Sequence, residues 1–116
     1  MDLHDLTRAL LEYDALAARQ WVADAAREHV NWSEIPAPRL DATGMAVAAA
    51  VTELLAQRAG QSPPTWTATV QAVAKPLFLV REASRLPRLR RLCEEEAPEP
   101  LRRRRIYAPP EFLTFA

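Results

Sequence analysis

Residues 41–60, DATGMAVAAAVTELLAQRAG, limit the fold more than any other stretch. Asp41 predicts a helix N-cap, because its carboxylate can accept from the unpaired N–H groups of a first turn. Gly60 sits where a glycine in the left-handed region ends a helix. The residues between are rich in alanine, which favours helix. Val47, Val51, Leu54, Leu55 and Arg58 recur at i, i+4, i+7, i+8 and i+11, one helical face. Ala46, Ala49, Ala50 and Ala56 make the other faces small and apolar. A helix apolar nearly all round is buried. The run from Met45 to Val51 is only seven residues long, too short to span a membrane. The rest of the chain must therefore supply amphipathic elements that pack on this rod.

The 116 residues suit one domain, with an acidic part over 1–60 and a basic, Pro/Arg-rich part over 61–116 packed on it. Residues 1–60 hold five arginines against nine acids, a net of −4. Residues 61–116 hold nine arginines and Lys75 against six acids, a net of +4. The whole chain is neutral by formal count, so it has no bulk attraction for nucleic acid. The halves can neutralise each other within one fold or across a homo-oligomer. Cys93 is the only cysteine, which rules out an internal disulfide and fits the reducing cytoplasm. The start, MDLHDLTRAL, carries acids at positions 2 and 5 and lacks the apolar core of a signal peptide.

In order along the chain, Asp2 caps a first helix whose stripe is Leu3, Leu6, Leu10 and Leu11. Asp14 caps a second, Ala15 to about His29, with Leu16, Ala17, Trp21, Val22, Ala25, Ala26 and His29 expected inside. Pro36 and Pro38 break the chain before the central helix, with Trp32 and Ile35 expected beneath the loop. After Gly60, Ser62 and Pro63 predict the start of a short helix burying Trp66, Val70 and Val73. The run Pro76–Val80 has no strand in sight to pair with, so a buried irregular or helical turn is expected. Pro87 predicts the first residue of a helix through Glu96, with Leu86, Leu89, Leu92 and Cys93 on one side. Glu94, Glu95 and Glu96 then lie at the negative end of the helix dipole, so that end should meet something positive, such as the arginine run. Residues 97–100 predict a turn, and Pro109–Pro110 open a last short helix with Phe112, Leu113 and Phe115. The expected fold class is all-α: a bundle of about five or six helices, the C-terminal ones short and irregular.

Nothing in the chain has the spacing of a catalytic or metal site. His4 and His29 stand apart, and glycine occurs only at 44 and 60, so there is no phosphate-cradling loop. Cys93 reads as a small core residue. No catalytic residue, metal or cofactor is expected. The feature most suggestive of function is Leu101-Arg102-Arg103-Arg104-Arg105-Ile106-Tyr107. The arginines can pair internally with the acids, anchor a partner protein together with Tyr107, or bind phosphate. Phosphate ranks last, because Glu94–Glu99 lie beside the run and non-specific nucleic-acid affinity needs several uncompensated cations. The candidate partner-binding set is Arg88, Arg91, Arg102, Arg103, Arg104, Arg105 and Tyr107.

Three stretches, LTRALLEYDALAARQWVADA (6–25), VTELLAQRAGQSPPTW (51–66) and PEPLRRRRIYAPPEFL (98–113), resemble a group of small bacterial helical proteins. That group is encoded beside nucleotidyltransferase toxins of the abortive-infection class. Arg105 stands near a position where the group often carries Asn. The resemblance implies a two-gene toxin–antitoxin pair with this chain as the antitoxin. It would act by occluding the toxin's nucleotide or RNA site, or by promoting the toxin's modification. The sequence thus leads to a non-catalytic protein-binding module whose partner is that toxin. A nucleic-acid-binding regulator using the Arg-rich half is the alternative, and a homo-oligomer with complementary halves is the third reading.

Overall fold

The computed structural model describes residues 2–114. Helix α1 spans Leu3–Leu11, capped by the Asp2 carboxylate, which accepts from the His4 N–H at 2.9 Å. It buries Leu3, Leu6, Thr7, Ala9 and Leu10. Leu11, expected in the stripe, is exposed, and Thr7 takes the inward place one turn earlier. Helix α2 spans Ala15–Arg27, with the Asp14 carboxylate accepting from Ala17 N–H at 3.0 Å. Its inward face is Ala18, Trp21 and Ala25, not the broader face expected. Val22 is half-buried, whereas Leu16, Ala17, Ala26 and His29 are exposed. The Trp21 side chain sets this rotation: its indole N–H donates to the Asp2 carbonyl at 3.0 Å and its ring packs 6.1 Å from that of Trp32.

Helix α3, Ala42–Arg58, is the buried rod that the sequence predicts. Every residue from Ala46 to Ala56 is buried. Asp41 caps it at Gly44 N–H, 2.7 Å, and Gly60 ends it with φ 70°. α1, α5 and the segments around Trp32 and Trp66 all pack on it. Trp32 and Ile35 lie beneath the loop as expected.

The part after Gly60 differs more from expectation. Residues Thr65–Thr69 form a 3₁₀ turn preceded by Pro64, and Ser62 plays no capping role. Thr67 is its buried residue, while Trp66 and Val70 are only half-buried, and Trp66 instead donates its indole N–H to the Ile35 carbonyl at 2.9 Å. Leu77–Phe78 is a short strand, β1, not an unpaired turn. Its partner is β2, Ile106–Tyr107, in parallel register Leu77 to Ile106 and Phe78 to Tyr107. Leu77 N–H donates to the Arg105 carbonyl and Leu79 N–H to the Tyr107 carbonyl, both at 3.0 Å. A 3₁₀ turn, Arg81–Ser84, leads to α4, Pro87–Glu96, with proline in the first turn as expected. Cys93 is buried on it, Leu89 and Leu92 are half-buried, and Leu86 is exposed.

Residues expected to be a plain turn start a further helix, α5, Glu99–Arg102. Pro98 and Pro100 remove donors only where a helix start has none to lose. The expected terminal helix is a turn closed by Phe112 N–H on the Pro109 carbonyl at 3.0 Å. Leu113 in it is buried, and Phe115 lies outside the described residues. Leu101, Ile106 and Ala108 are fully buried in the cluster that holds Val47 and Val51, so both parts of the chain share one core. No described helix is long and apolar enough to cross a membrane.

Candidate partner-binding surface

Glu53 is the only ionisable residue facing inward from the middle of α3, at 7% exposed. A carboxylate so placed needs a cation, and Arg104, itself 4% exposed, supplies it. The Arg104 guanidinium grips both carboxylate oxygens, Nη1 to Oε1 at 2.5 Å and Nη2 to Oε2 at 3.1 Å. Its other donors go to the Thr67 carbonyl at 2.7 Å and the Val70 carbonyl at 3.3 Å. Arg103 adds a second guanidinium on Oε1. Burial alone would raise the Glu53 carboxyl, but the hydrogen bonds led by Arg104 outweigh it and hold the group below its ordinary range.

The arginine run is therefore not one surface. Arg104 leaves the partner-binding set, because it is spent inside the fold. Arg102 donates to the Glu95 carbonyl at 3.1 Å and so closes the C-terminal end of α4. The positive group expected there does arrive, bound to the backbone rather than to the glutamates. Arg105, in the left-handed region at φ 64°, donates to the Ala74 carbonyl at 2.8 Å. Arg102, Arg103 and Arg105 remain exposed, each with donors to spare. Arg88 and Arg91 are exposed on α4 and have no carboxylate partner among the described residues.

Tyr107 enters the surface through the strand pair, which sets its ring 5.4 Å from that of Phe78. The Arg90 guanidinium lies 4.9 Å from the Phe78 ring centre, and its Nε is 3.9 Å from Glu94. The Tyr13 hydroxyl donates to the Phe78 carbonyl at 3.4 Å, and Arg81 lies over the Tyr13 ring at 5.2 Å. Arginine held on aromatic faces is attracted by the ring quadrupole. The result is a band of Arg81, Tyr13, Phe78, Tyr107 and Arg90. Arg81, Tyr13, Phe78 and Arg90 were not in the expected set. No local pattern announces them, because the β1–β2 pairing alone brings residues 78 and 107 together.

His4 and His29 are exposed and far apart in sequence. Among the described residues no three His, Cys, Asp or Glu side chains gather as a metal-ligand set. The Cys93 thiol is fully buried, and burial, then Glu111 and Glu94, push it up, so it is protonated at neutral pH. Two hollows open at the surface. One, of about 310 Å³, lies between the α1–α2 junction, residues 79–82 and the terminal turn. The other, of about 550 Å³, is an open cleft beside Arg103 and the Pro63–Thr65 segment. The chain matches no protein-family model, no curated protein and no solved structure.

Proposed function

We propose that the chain is a non-catalytic protein-binding module, and that its contact surface is built from Arg88, Arg90, Arg91, Phe78 and Tyr107. The observation that carries this reading is the stacking of Arg90 on Phe78 beside Tyr107. Arginine and tyrosine are the side chains most often found at the energetic centre of protein contacts. Here they are ordered before any partner arrives, which lowers the entropy lost on binding. The identity of the partner follows from the resemblance of the three stretches alone: a nucleotidyltransferase toxin, which this chain would neutralise. A nucleotide-processing site of that kind is lined with acids and metal, and exposed guanidiniums suit such a surface.

Nucleic acid is the weaker alternative. Arg103 and Arg104 are already neutralised in part by Glu53. Arg90 and Arg81 each occupy one face of the Phe78 and Tyr13 rings, which leaves less aromatic surface for a base to stack on. The test is co-expression with a nucleotidyltransferase encoded beside this chain. A stable complex and relief of toxicity are expected. Replacing Arg88 and Arg91 with Glu should weaken the complex at least tenfold with the fold intact. Failure to co-purify and to relieve toxicity would remove the reading. A steeply salt-dependent affinity for single-stranded RNA in its place would establish the alternative.

A further inference from the structure

Arg103 lines the cleft of about 550 Å³, together with Arg104 and Glu53. Its side chain is 51% exposed, against 5% for Arg104. A guanidinium carries five N–H donors. Arg103 spends one, on Nη2, on Glu53 Oε1. Its other donors meet no acceptor among the described residues. A guanidinium has two two-pronged edges, and both use Nη2. The bond to Glu53 occupies one of them and leaves the other free. It also fixes the guanidinium in place before anything binds, which lowers the ordering cost of a ligand.

The facing wall is held as firmly. Arg104 donates to the Thr67 carbonyl at 2.7 Å and the Val70 carbonyl at 3.3 Å, which ties residues 67–70 to the buried pair. Pro63 and Pro64 extend this wall with rigid rings that carry no N–H. Ala68 and Ala72 add small apolar side chains to it. The cleft thus joins an unused donor edge to an apolar wall.

The lining holds two guanidiniums and one carboxylate, a net of +1. A ligand that suits it accepts hydrogen bonds, carries a single negative charge and brings an apolar body to the prolines. A phosphate dianion exceeds that charge and would be repelled by Glu53. A carboxylate matches it, and its two oxygens fit one guanidinium edge. The volume is that of a small-molecule site, well beyond the needs of a bare ion.

We propose that this cleft binds a small organic carboxylate, its oxygens on the free edge of Arg103 and its apolar body against Pro63, Pro64 and Ala68. This goes beyond the partner reading and stands without it, because none of Arg88, Arg90, Arg91, Phe78 and Tyr107 lines the cleft.

Nitrogen–proton NMR of the full chain tests it, with benzoate as the probe. Benzoate should shift the Arg103 Nε–H resonance and the amides of Thr65, Ala68 and Ala72 along one saturable curve. The dissociation constant should be about 1–10 mM for so small a ligand. Benzamide, neutral and of the same shape, should bind at least tenfold more weakly, and so should inorganic phosphate. Arg103→Gln should weaken benzoate at least tenfold. Arg103 is at the surface, so the variant should fold, and circular dichroism checks this. Ala68→Asp, at an exposed wall position, should weaken benzoate as much while leaving Arg103 and the Glu53 pair untouched. No saturable shift at about 50 mM benzoate, several times the expected constant, would overturn the proposal. So would benzamide or phosphate binding as tightly as benzoate, or shifts that persist unchanged in Arg103→Gln.

Discussion

Tyr13, His29 and Gly60 occupy the same place just beyond α1, α2 and α3, with φ of 57, 52 and 70°. In each case the next residue reaches back to a carbonyl of the last turn: Asp14 to Ala9 at 2.8 Å, Val30 to Ala25 at 3.2 Å, Gln61 to Ala56 at 2.9 Å. This closure satisfies carbonyls the helix leaves bare, and it favours glycine. Only the third position has one. Tyr13 gains from its hydroxyl and its arginine lid, but the exposed His29 ring makes no such contact among the described residues. His29→Gly should therefore stabilise the fold by about 0.5–1 kcal/mol, the left-handed strain relieved less the added chain entropy. Thermal unfolding measures it, and a fall in Tm would contradict the account. Glu53 is the opposite case. Glu53→Gln leaves two guanidiniums facing a neutral amide, one of them buried, at a cost of about 3–5 kcal/mol. The paired change Glu53→Leu with Arg104→Met should recover most of that, since it removes both charges. Urea titration of the three chains separates a pairing effect from a simple loss of packing.

At the scale of elements, α1, α3 and α4 were legible because their signals are local: an aspartate or proline at the start, a periodic stripe, a glycine at the end of α3. The existence of α2 was equally plain, but its rotation was not, since Trp21 chooses it through a bond to Asp2, and Leu16 is swung outward as a result. The strands leave no local mark in the sequence, for a different reason. Two residues each are too few to show alternation, and the partners lie far apart in sequence. The candidate surface was half visible. Its exposed arginines and Tyr107 could be named from composition, but the burial of Arg104 could not be read from a run of four identical residues. One usable signal for it is local: a single glutamate in an otherwise apolar helix requires a cation, and the second half of the chain is where cations lie. Gly44 makes the element scale testable. Propensity favours alanine inside a helix by about 1 kcal/mol. A Cβ at Gly44 would lie 2.8 Å from Leu40 Cβ and 3.0 Å from the capping Asp41 Oδ1. Overpacking of this kind costs about 1–3 kcal/mol, so Gly44→Ala should lower Tm. A rise would show that the 36–41 loop yields.

For the molecule as a whole, Glu53 binds the basic part to the rod, and this contribution has a pH window. Its carboxyl titrates lower in the folded chain than in the unfolded one. The stabilisation is therefore complete above the ordinary glutamate range, about 4.3, and fades as acid takes the pH down through the folded value. Acid unfolding of the native chain should show this slope below about pH 4, and the Glu53→Gln chain should lack it. A common acid profile for the two would rule out the linkage.

Because Arg104 is drawn inward while its neighbours turn to other anchors, four consecutive trypsin sites are withheld from the protease in the native chain. Cutting there requires a peptide to lie extended in the enzyme's cleft, and this segment is coiled around its own carboxylate. Digestion after residues 102–105 should thus proceed no faster than opening of the Glu53 clasp, and Glu53→Gln should hasten it well before overall helicity declines. What reads as a linear basic tag thus shows three of its guanidiniums to water but yields its backbone only when the rod lets go.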